Sequence, residues 1–332
     1  MRFALNGRTN TRFAPIGVTL LLAAAGAWAQ SAADNWPAKP VRLIVPLAAG
    51  GPSDTIARIV AGRLSEVLGQ NVIVDNRAGA SGIIGTEIAA KAPPDGYTLA
   101  LVSNTLTINP ALVRKMPFDA ERDLVAISQL TNTPYLLTVH RSLPVKTVRE
   151  FIALAKARPG ELNHASGGNG TGPHLGIELF AQRTGIKIVQ IVYKGGGPAM
   201  IDFLAGQTQF YLANMVTAMQ QVRSGRIRAL AVSSLARSPV APEIPTIHES
   251  GLPNFDEAAQ QGVVAPAALS REIVNKLHAA LVATMRSPEI VKRFGDEGSS
   301  TVASTPDEYR ALIRRDTAKW QEFVRKAGIQ PE

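Results

Sequence analysis

Stretches rich in apolar, β-branched residues alternate with segments of helical periodicity along most of the chain. In the first half, such stretches at 41–47, 71–76 and 97–103 are typical of strands in a covered sheet. Between them, apolar residues recur at helical spacing in 53–69 and 82–92. This β-α-β-α-β order predicts a parallel sheet with helices packed on its faces.

The same alternation begins again in the second half of the chain. Strands are predicted at 161–166, 186–193, 208–215 and 226–234. Helices are predicted between them, at 173–185, 198–206 and 216–225. The sequence therefore predicts an α/β protein made of two separate α/β units.

Two extended segments join these units. Residues 123–140 form a long strand-like run, and residues 244–269 form a stretch punctuated by proline and glycine. Two crossings between the units make the first domain discontinuous. We therefore predict a first domain of residues 36–133 and 256–332, and a second domain of residues 134–255.

The helices after residue 270 have clear start signals. Ser287 and Pro288 match the N-cap and N1 positions, and Thr305 and Glu308 have the spacing of a capping box. The last helix carries an apolar stripe that predicts packing and not a cofactor site. Its members are Tyr309, Leu312, Ile313, Trp320, Phe323 and Val324.

The first 29 residues have the pattern of an export signal. Arg2, Arg8 and Arg12 precede an apolar run, and residues 27–29 have the A-x-A spacing of a cleavage site. A transmembrane anchor is the alternative, but the apolar run is shorter than the roughly 20 residues that a spanning helix needs. We predict a signal peptide over 1–29 and export of the mature protein to the periplasm.

Charge and cysteine content narrow the function classes. The formal net charge is +9, and since the three leader arginines contribute to it, the mature chain carries +6. Its lysines and arginines are interleaved with acids and form no basic stripe of the kind that binds nucleic acid. The absence of cysteine excludes disulfides, thiol catalysis and zinc–thiolate sites.

Four glycine-rich turns each join a predicted strand to a predicted helix. They lie at 46–54, 76–85, 165–176 and 193–200. Glycine lets backbone amides approach a ligand closely, and the free N–H groups at a helix start favour an anion. Ligands of parallel sheets bind at the carboxyl ends of the strands, where these turns lie. The turns predict an anion site, the alternative being tight turns without a ligand.

The turns match no nucleotide motif. The sequence contains neither G-x-x-x-x-G-K-[ST] nor G-x-G-x-x-G, which leaves a small carboxylate as the candidate anion. A G-x-S-x-G nucleophile elbow is also absent. His174 and Glu178 are spaced for one helix face, but two ligands do not make a metal site. We expect no catalytic residue, no metal and no cofactor.

Asp54 allows two interpretations. A carboxylate in the first turn of a helix stabilises the helix dipole and accepts backbone N–H groups, and Arg58 is placed one turn later to pair with it. Alternatively, Asp54 binds the ammonium group of an amino-acid ligand. The choice separates an amino-acid receptor from a receptor for simple acids.

Several long motifs resemble the Bug receptors, the periplasmic solute-binding proteins of tripartite tricarboxylate transporters. They lie in the same order at 36–86, 94–104, 162–180, 192–210 and 243–255. The resemblance implies a type II periplasmic-binding-protein fold. In that fold two α/β domains with mainly parallel sheets are joined by two crossovers and close on a ligand.

The resemblance also implies a ligand site made of backbone amides and small hydroxyls from both domains. The residues expected from the first domain are Ala49, Gly50, Gly51, Ser53, Asp54, Ala80, Ser81, Gly82, Ser103 and Asn104. Those expected from the second domain are Ser166, Gly168, Asn169, Thr171, His174, Tyr193, Gly195, Gly196 and Asn214. Gln260 and Gln261, near the hinge, are further candidates. The ligand it implies is a small organic carboxylate, and the partners it implies are integral membrane transporter subunits that receive the ligand from a monomeric receptor.

The identity of the carboxylate stays open. Many Bug receptors carry an aromatic residue where this chain has Leu47, and another near Gln260, so the pocket wall differs here. A dicarboxylate, a tricarboxylate, an aromatic acid and an amino acid are all compatible with the turns. Two other functions are also left open: a sensor that presents its ligand to a membrane signalling partner, and an exported hydrolase-like enzyme.

Overall fold

Two β-sheets that share one long strand form the framework of the chain, whose computed structural model describes residues 35–331. The strands are β1 (Val41–Val45), β2 (Val72–Asn76), β3 (Thr98–Val102), β4 (Leu124–His140), β5 (Asn163–Ser166), β6 (Val189–Val192), β7 (Phe210–Asn214), β8 (Ile227–Val232), β9 (Ala258–Pro266) and β10 (Ser300–Thr301). The helices are α1 (Pro52–Leu68), α2 (Ile83–Ala90), α3 (Thr105–Leu112), α4 (Val148–Ala157), α5 (Gly172–Thr184), α6 (Gly196–Leu204), α7 (Met215–Arg223), α8 (Arg271–Met285), α9 (Pro288–Asp296) and α10 (Pro306–Lys326).

The first sheet has the strand order β2-β1-β3-β9-β4, with β10 also paired to β4. Strand β1 runs parallel to β2 and β3, whereas β9 is antiparallel to β3 and β4. In the second sheet, β5 is parallel to β6 and β7, and β4 is antiparallel to β7 and β8. Each sheet therefore joins a parallel β-α-β set to antiparallel connecting strands, and the predicted α/β class is confirmed.

Strand β4 belongs to both sheets. Its first part pairs with β9 as far as Pro134, and from Tyr135 onward it pairs with β7. Proline has no backbone N–H to donate, so a point where the pairing partner changes is a place where a strand tolerates it. We call the part of the chain built on the first sheet the first lobe, and the part built on the second sheet the second lobe.

Both faces of the first sheet are covered. Leu43 of β1 packs with Ile56 and Leu277 on one face, while the adjacent Ile44 packs with Val264 and Tyr309 on the other. Successive side chains of a strand point to opposite faces, so a strand covered on both faces needs an apolar residue at nearly every position. This requirement explains why the strands read as continuous apolar stretches in the sequence.

The capping box predicted at the start of the last helix is present. The Thr305 hydroxyl accepts the Glu308 N–H at 3.2 Å, and the Glu308 carboxylate accepts the Thr305 N–H at 2.8 Å. We expect Thr305→Ala to lower the free energy of unfolding by about 1 kcal/mol, because the Glu308 N–H loses the hydroxyl that accepts it. Urea denaturation measures the loss, and Thr305→Ser, which keeps the hydroxyl, should restore most of the stability.

Candidate functional site

The glycine-rich turns of the two lobes touch each other. A Cβ atom built on Gly197 lies 3.0 Å from the Ala49 carbonyl oxygen, and one built on Gly195 lies 3.0 Å from the Ala48 Cβ. Gly195 is the N-cap of α6 and Gly197 lies in its first turn, whereas both alanines belong to the turn after β1. The absence of side chains at these two positions therefore allows the carboxyl ends of the two sheets to face one another at close range.

Three helices that begin at this junction have no side-chain cap. The N-cap residues are Gly51 for α1, Thr171 for α5 and Gly195 for α6, and none of their side chains accepts a first-turn N–H. Uncapped N–H groups and the positive end of the helix dipole favour an anion. Because α1 lies in one lobe and α5 and α6 lie in the other, an anion at the junction attracts groups from both lobes.

A small cavity of about 60 Å³ lies at the junction, and we call it the inner cavity. About half of the residues that line it carry polar side chains, yet none of the described residues in the lining is an acid, a lysine, an arginine or a histidine. Burial raises the pKa of Tyr135 and of Tyr211, so both phenols stay protonated and can donate. The polar side chains of the lining are Ser53, Ser103, Asn104, Tyr135, Thr171, Tyr211, Asn214 and Gln261.

The three amides of the inner cavity are used differently. Asn104 has a partner at each end of its amide, since its Nδ2 donates to the Ala258 carbonyl at 3.1 Å and its Oδ1 accepts the Gln260 N–H at 2.8 Å. Asn214 accepts the Val216 N–H at 3.0 Å, but its Nδ2 has no partner within residues 35–331. The Oε1 of Gln261 likewise has no partner in the described part of the chain. One buried donor and one buried acceptor thus lack a partner among the described residues.

A larger cleft of about 670 Å³ adjoins the inner cavity, and we call it the outer cleft. Leu47 and Gly167 line both spaces. The outer cleft is bordered by residues 78–83 of the first lobe and by residues 167–169 of the second. Apart from His174, Lys194 is the only acidic or basic side chain among the described residues that line the outer cleft.

His174 borders the outer cleft as a neutral group. Its Nδ1 accepts the Gly170 N–H at 3.1 Å, and burial lowers its pKa to about 4. Burial also raises the pKa of Glu178, one turn later in α5. Within residues 35–331, no group of three or more histidine, aspartate or glutamate side chains is placed to hold a metal ion.

Asp54 is engaged by its own turn and helix. Its Oδ2 accepts the Gly50 N–H at 2.9 Å and Arg58 Nε at 3.0 Å, and its Oδ1 lies 3.0 Å from Arg58 Nη2. Burial opposes ionisation of the carboxyl, but these hydrogen bonds outweigh it and hold the pKa of Asp54 below its ordinary value. The carboxylate lines neither the inner cavity nor the outer cleft.

The predicted site residues fall into three groups. The inner cavity is lined by Ser53, Ser103, Asn104, Thr171, Gly196 and Asn214. The outer cleft is lined by Ala80, Ser81, Gly82, Gly168, Asn169, His174 and Tyr193. Neither space is lined by Ala49, Gly50, Gly51, Asp54, Ser166 or Gly195. Contact of any of them with a ligand stays a prediction.

The predicted residues that line neither space still help to position the site. Gly51 and Gly195 begin α1 and α6, and Ala49 packs against the start of α6. Ser166 bonds within its own lobe, where its hydroxyl donates to the Gly168 carbonyl at 3.2 Å and accepts Gln190 Nε2 at 2.8 Å. These residues shape the turns and leave the lining to their neighbours.

Sequence reasoning missed several residues of the lining. Tyr135 and Tyr211 lie in the predicted strands β4 and β7, where an aromatic residue in an apolar run reads as core. Gln190 belongs to the outer cleft and carries no motif. Lys194 also belongs to it and lies in the glycine-rich turn at 193–200, where Tyr193 and the glycines were the expected ligand contacts. Gln261 differs from these, because the resemblance had already made it a candidate, and it lines the inner cavity.

The same architecture is found in a known receptor family. The family model described as "Tripartite tricarboxylate transporter family receptor" matches residues 56–329. The chain belongs to this family. Protein BugT of Bordetella pertussis is 38% identical to this receptor over 315 residues, which are 94% of this chain and 97% of BugT.

Two solved structures share the fold of this receptor. The periplasmic binding protein BugD is 30% identical, with a TM-score of 0.87 over 90% of this chain and 100% of BugD. Rpa4515 of R. palustris, solved with adipate, is 34% identical, with a TM-score of 0.87 over 90% of this chain and 100% of Rpa4515. The predicted membership of the Bug receptors and the predicted fold are confirmed. Since members of the family are solute receptors, this chain is a receptor and not an enzyme.

Proposed function

We propose that this receptor captures a small organic carboxylate between its two lobes and delivers it to a membrane transporter. The observation that carries the proposal is the convergence of uncapped helix starts from both lobes on a polar cavity without charged side chains. Such a site binds an anion through backbone N–H groups. Rpa4515, which shares the fold, has been solved with the dicarboxylate adipate.

The lobes close on the ligand in this proposal. A carboxylate at the junction accepts N–H groups from α1 of the first lobe and α6 of the second, so it stabilises the arrangement in which the lobes touch. We place the domain boundaries where the chain passes between the sheets, at residues 133/134 and 255/256. Beside the second boundary, the Glu257 N–H donates to the Ser233 carbonyl at 3.1 Å. Bending at these two short connections moves each lobe as a unit.

Delivery to membrane subunits fits the family to which the chain belongs. BugD, a solved structure with the same fold, is a periplasmic binding protein, and we place this receptor in the same compartment. The proposed signal peptide at 1–29 lies outside the described residues. Across residues 35–331, none of the helices has the length and apolar character of a membrane span.

Binding and closure are tested together on the purified chain. A panel of mono-, di- and tricarboxylates is screened by thermal unfolding, and each acid that binds is then studied by small-angle scattering. A carboxylate at a hundredfold excess over its Kd should stabilise the protein by about 2.7 kcal/mol. The saturated protein should also become more compact. Equal stabilisation by the uncharged amide of the same acid, or binding without compaction, contradicts the proposal.

Lys194 is our candidate for binding the second carboxylate group of a dicarboxylate ligand. Its ammonium group borders the outer cleft and forms no ion pair with any residue of the described chain. An exposed pair contributes little, so we expect Lys194→Met to weaken binding of a dicarboxylate by about twofold to fivefold and to leave monocarboxylates unchanged. Titration calorimetry at low and high salt measures the change. Lys146→Met, at an exposed lysine that lines neither space, is the matched control.

A further inference from the structure

The inner cavity is too small to hold a whole organic acid. It measures about 60 Å³, whereas the outer cleft measures about 670 Å³ and shares Leu47 and Gly167 with it. Sites for small organic molecules usually measure about 300–1,000 Å³. A carboxylate group bound at the uncapped helix starts therefore leaves the body of its molecule in the outer cleft.

Residues 327–331, which we call the C-terminal segment, form part of the wall of the outer cleft. Two of them, Ile329 and Gln330, line this space. Helix α10 ends just before the segment, and Gly328 then has a left-handed φ of 69°. The following N–H group, that of Ile329, donates back to the Val324 carbonyl at 3.1 Å, as in a Schellman motif. This reversal of the chain brings Ile329 to the cleft.

The C-terminal segment is fixed beside the end of helix α3. Arg114, two residues after α3, donates through its Nε to the Pro331 carbonyl at 2.9 Å. Ile329 packs with Leu112, the last residue of α3, against one buried apolar cluster. The members of this cluster, which come from both lobes, are Ile108, Ala111, Leu175, Trp320 and Val324. Ile329 is half-buried and holds a defined position in the wall.

Helix α3 measures the distance from the inner cavity to this part of the wall. Ser103 and Asn104, just before the helix, line the inner cavity, whereas Leu112 and Val113, at its end, line the outer cleft. The helix has 8 residues, so at about 1.5 Å per residue it spans about 12 Å. A ligand with its carboxylate in the inner cavity therefore has to be elongated to reach Ile329.

The far end of the outer cleft suits an apolar group. Where the C-terminal segment meets α3, the cleft is lined by the aliphatic side chains of Leu112, Val113 and Ile329, with Gln330 beside them. Arg114, the cation that follows Val113, is bound to the Pro331 carbonyl and does not line the cleft. A methylene group that is buried against such a surface raises affinity by up to about fourfold.

We propose, on the basis of the carboxylate function given above, that this receptor prefers carboxylates with an elongated apolar body. Ile329 determines this specificity, because its side chain contacts the far end of that body. A compact polar acid such as citrate or malate binds at the helix starts but leaves the aliphatic wall without a contact.

Monocarboxylates of increasing length test the ligand class. Butyrate, hexanoate, octanoate and decanoate have one charged end, so the carboxylate fixes the direction of the chain. Titration calorimetry on the full mature chain should show affinity rising about twofold to fourfold with each added methylene group, and decanoate binding more tightly than citrate or malate. Affinity independent of chain length, or tighter binding of citrate or malate, overturns this proposal and leaves the carboxylate function standing. Failure of every acid to bind overturns both.

Two substitutions in the wall show whether Ile329 and its neighbour make the contact. Ile329→Ala should weaken binding of decanoate by about threefold to tenfold and leave butyrate unchanged, because only the longer chain reaches this side chain. Leu112→Ala should show the same dependence on length. Ile201→Ala is the matched control, since Ile201 is 68% exposed and lines neither space, and it should bind every acid like the original receptor.

The unchanged affinity for butyrate separates a contact from a structural role. A substitution that only disturbs the fold weakens both acids alike, and this result in Ile329→Ala contradicts the proposal. Equal binding of decanoate by Ile329→Ala and the original receptor also contradicts it. If Ile329→Ala does not fold, the ratio of the two affinities in Leu112→Ala decides.

Discussion

Replacing Gly197 by valine should weaken ligand binding by about tenfold to a hundredfold, because overpacking of a tight contact typically costs 1–3 kcal/mol. A Cβ at this position meets the Ala49 carbonyl oxygen at 3.0 Å and the Gly50 carbonyl carbon at 3.1 Å, both across the junction of the lobes. These neighbours are backbone atoms and have no rotamer by which to move away. The substitution therefore opposes the contact between the lobes while each lobe folds as before.

Affinity and shape have to change together for this prediction to hold. Titration calorimetry should show the weaker binding, and scattering should show a Gly197→Val protein that stays expanded at ligand concentrations that saturate the original receptor. Gly62→Ala is the matched control, since Gly62 lies within α1 and a Cβ there meets nothing within 4 Å. The control should bind normally and gain about 0.5–1 kcal/mol of stability, as alanine favours a helix more than glycine does. Unchanged affinity in Gly197→Val would show that the lobes do not need this contact.

The framework was predictable because its signals are local. Strands β1, β3 and β7 are apolar nearly throughout, and glycine-rich turns follow β1, β2, β5 and β6, so both the sheets and the ligand-facing ends were found from the sequence. Helices α3 and α4 were not assigned. Helix α3 is short and contains Pro110, a residue that normally ends a helical pattern.

The inner wall of the site depends on non-local pairing. Gln261 reaches the cavity because β9 runs antiparallel between β3 and β4, and a shift of its register by one residue would turn its side chain to the other face. Tyr135 reaches it because β4 changes partner after Pro134. Pro134 marks the change of partner in the sequence, but no local signal shows that Tyr135 then faces the cavity, and none sets the register of β9. The turns and Asn214 were therefore predicted from the sequence, whereas Tyr135 and Tyr211 were not.

Two neutral histidines, His164 buried and His174 half-buried, should make the receptor sensitive to acid. Burial, together with the nearby His174, lowers the pKa of His164 to about 3, and burial lowers the pKa of His174 to about 4. In the unfolded chain each imidazole binds a proton below about pH 6.5. The unfolded state thus binds more protons than the folded state between pH 6.5 and 4, and stability falls as the pH falls. Between pH 7 and 5, each histidine should lower the free energy of unfolding by about 2 kcal/mol.

Substitution of each histidine isolates its share of this acid sensitivity. His164 packs against Phe210 at 5.1 Å between ring centroids, and neither ring nitrogen has a partner within residues 35–331, so phenylalanine suits the position. His174→Asn keeps an acceptor for the Gly170 N–H. Glu178, whose pKa is raised by burial, favours the folded state as the pH falls, and comparing each variant with the original protein cancels its contribution. Urea denaturation at pH 7 and at pH 5 gives the free energy of unfolding at each pH. The decrease from pH 7 to pH 5 should be about 2 kcal/mol smaller in each single variant than in the original protein, and about 4 kcal/mol smaller in the double variant. A pH dependence that both variants share with the original protein would mean that these imidazoles take up protons in the folded state as readily as in the unfolded one.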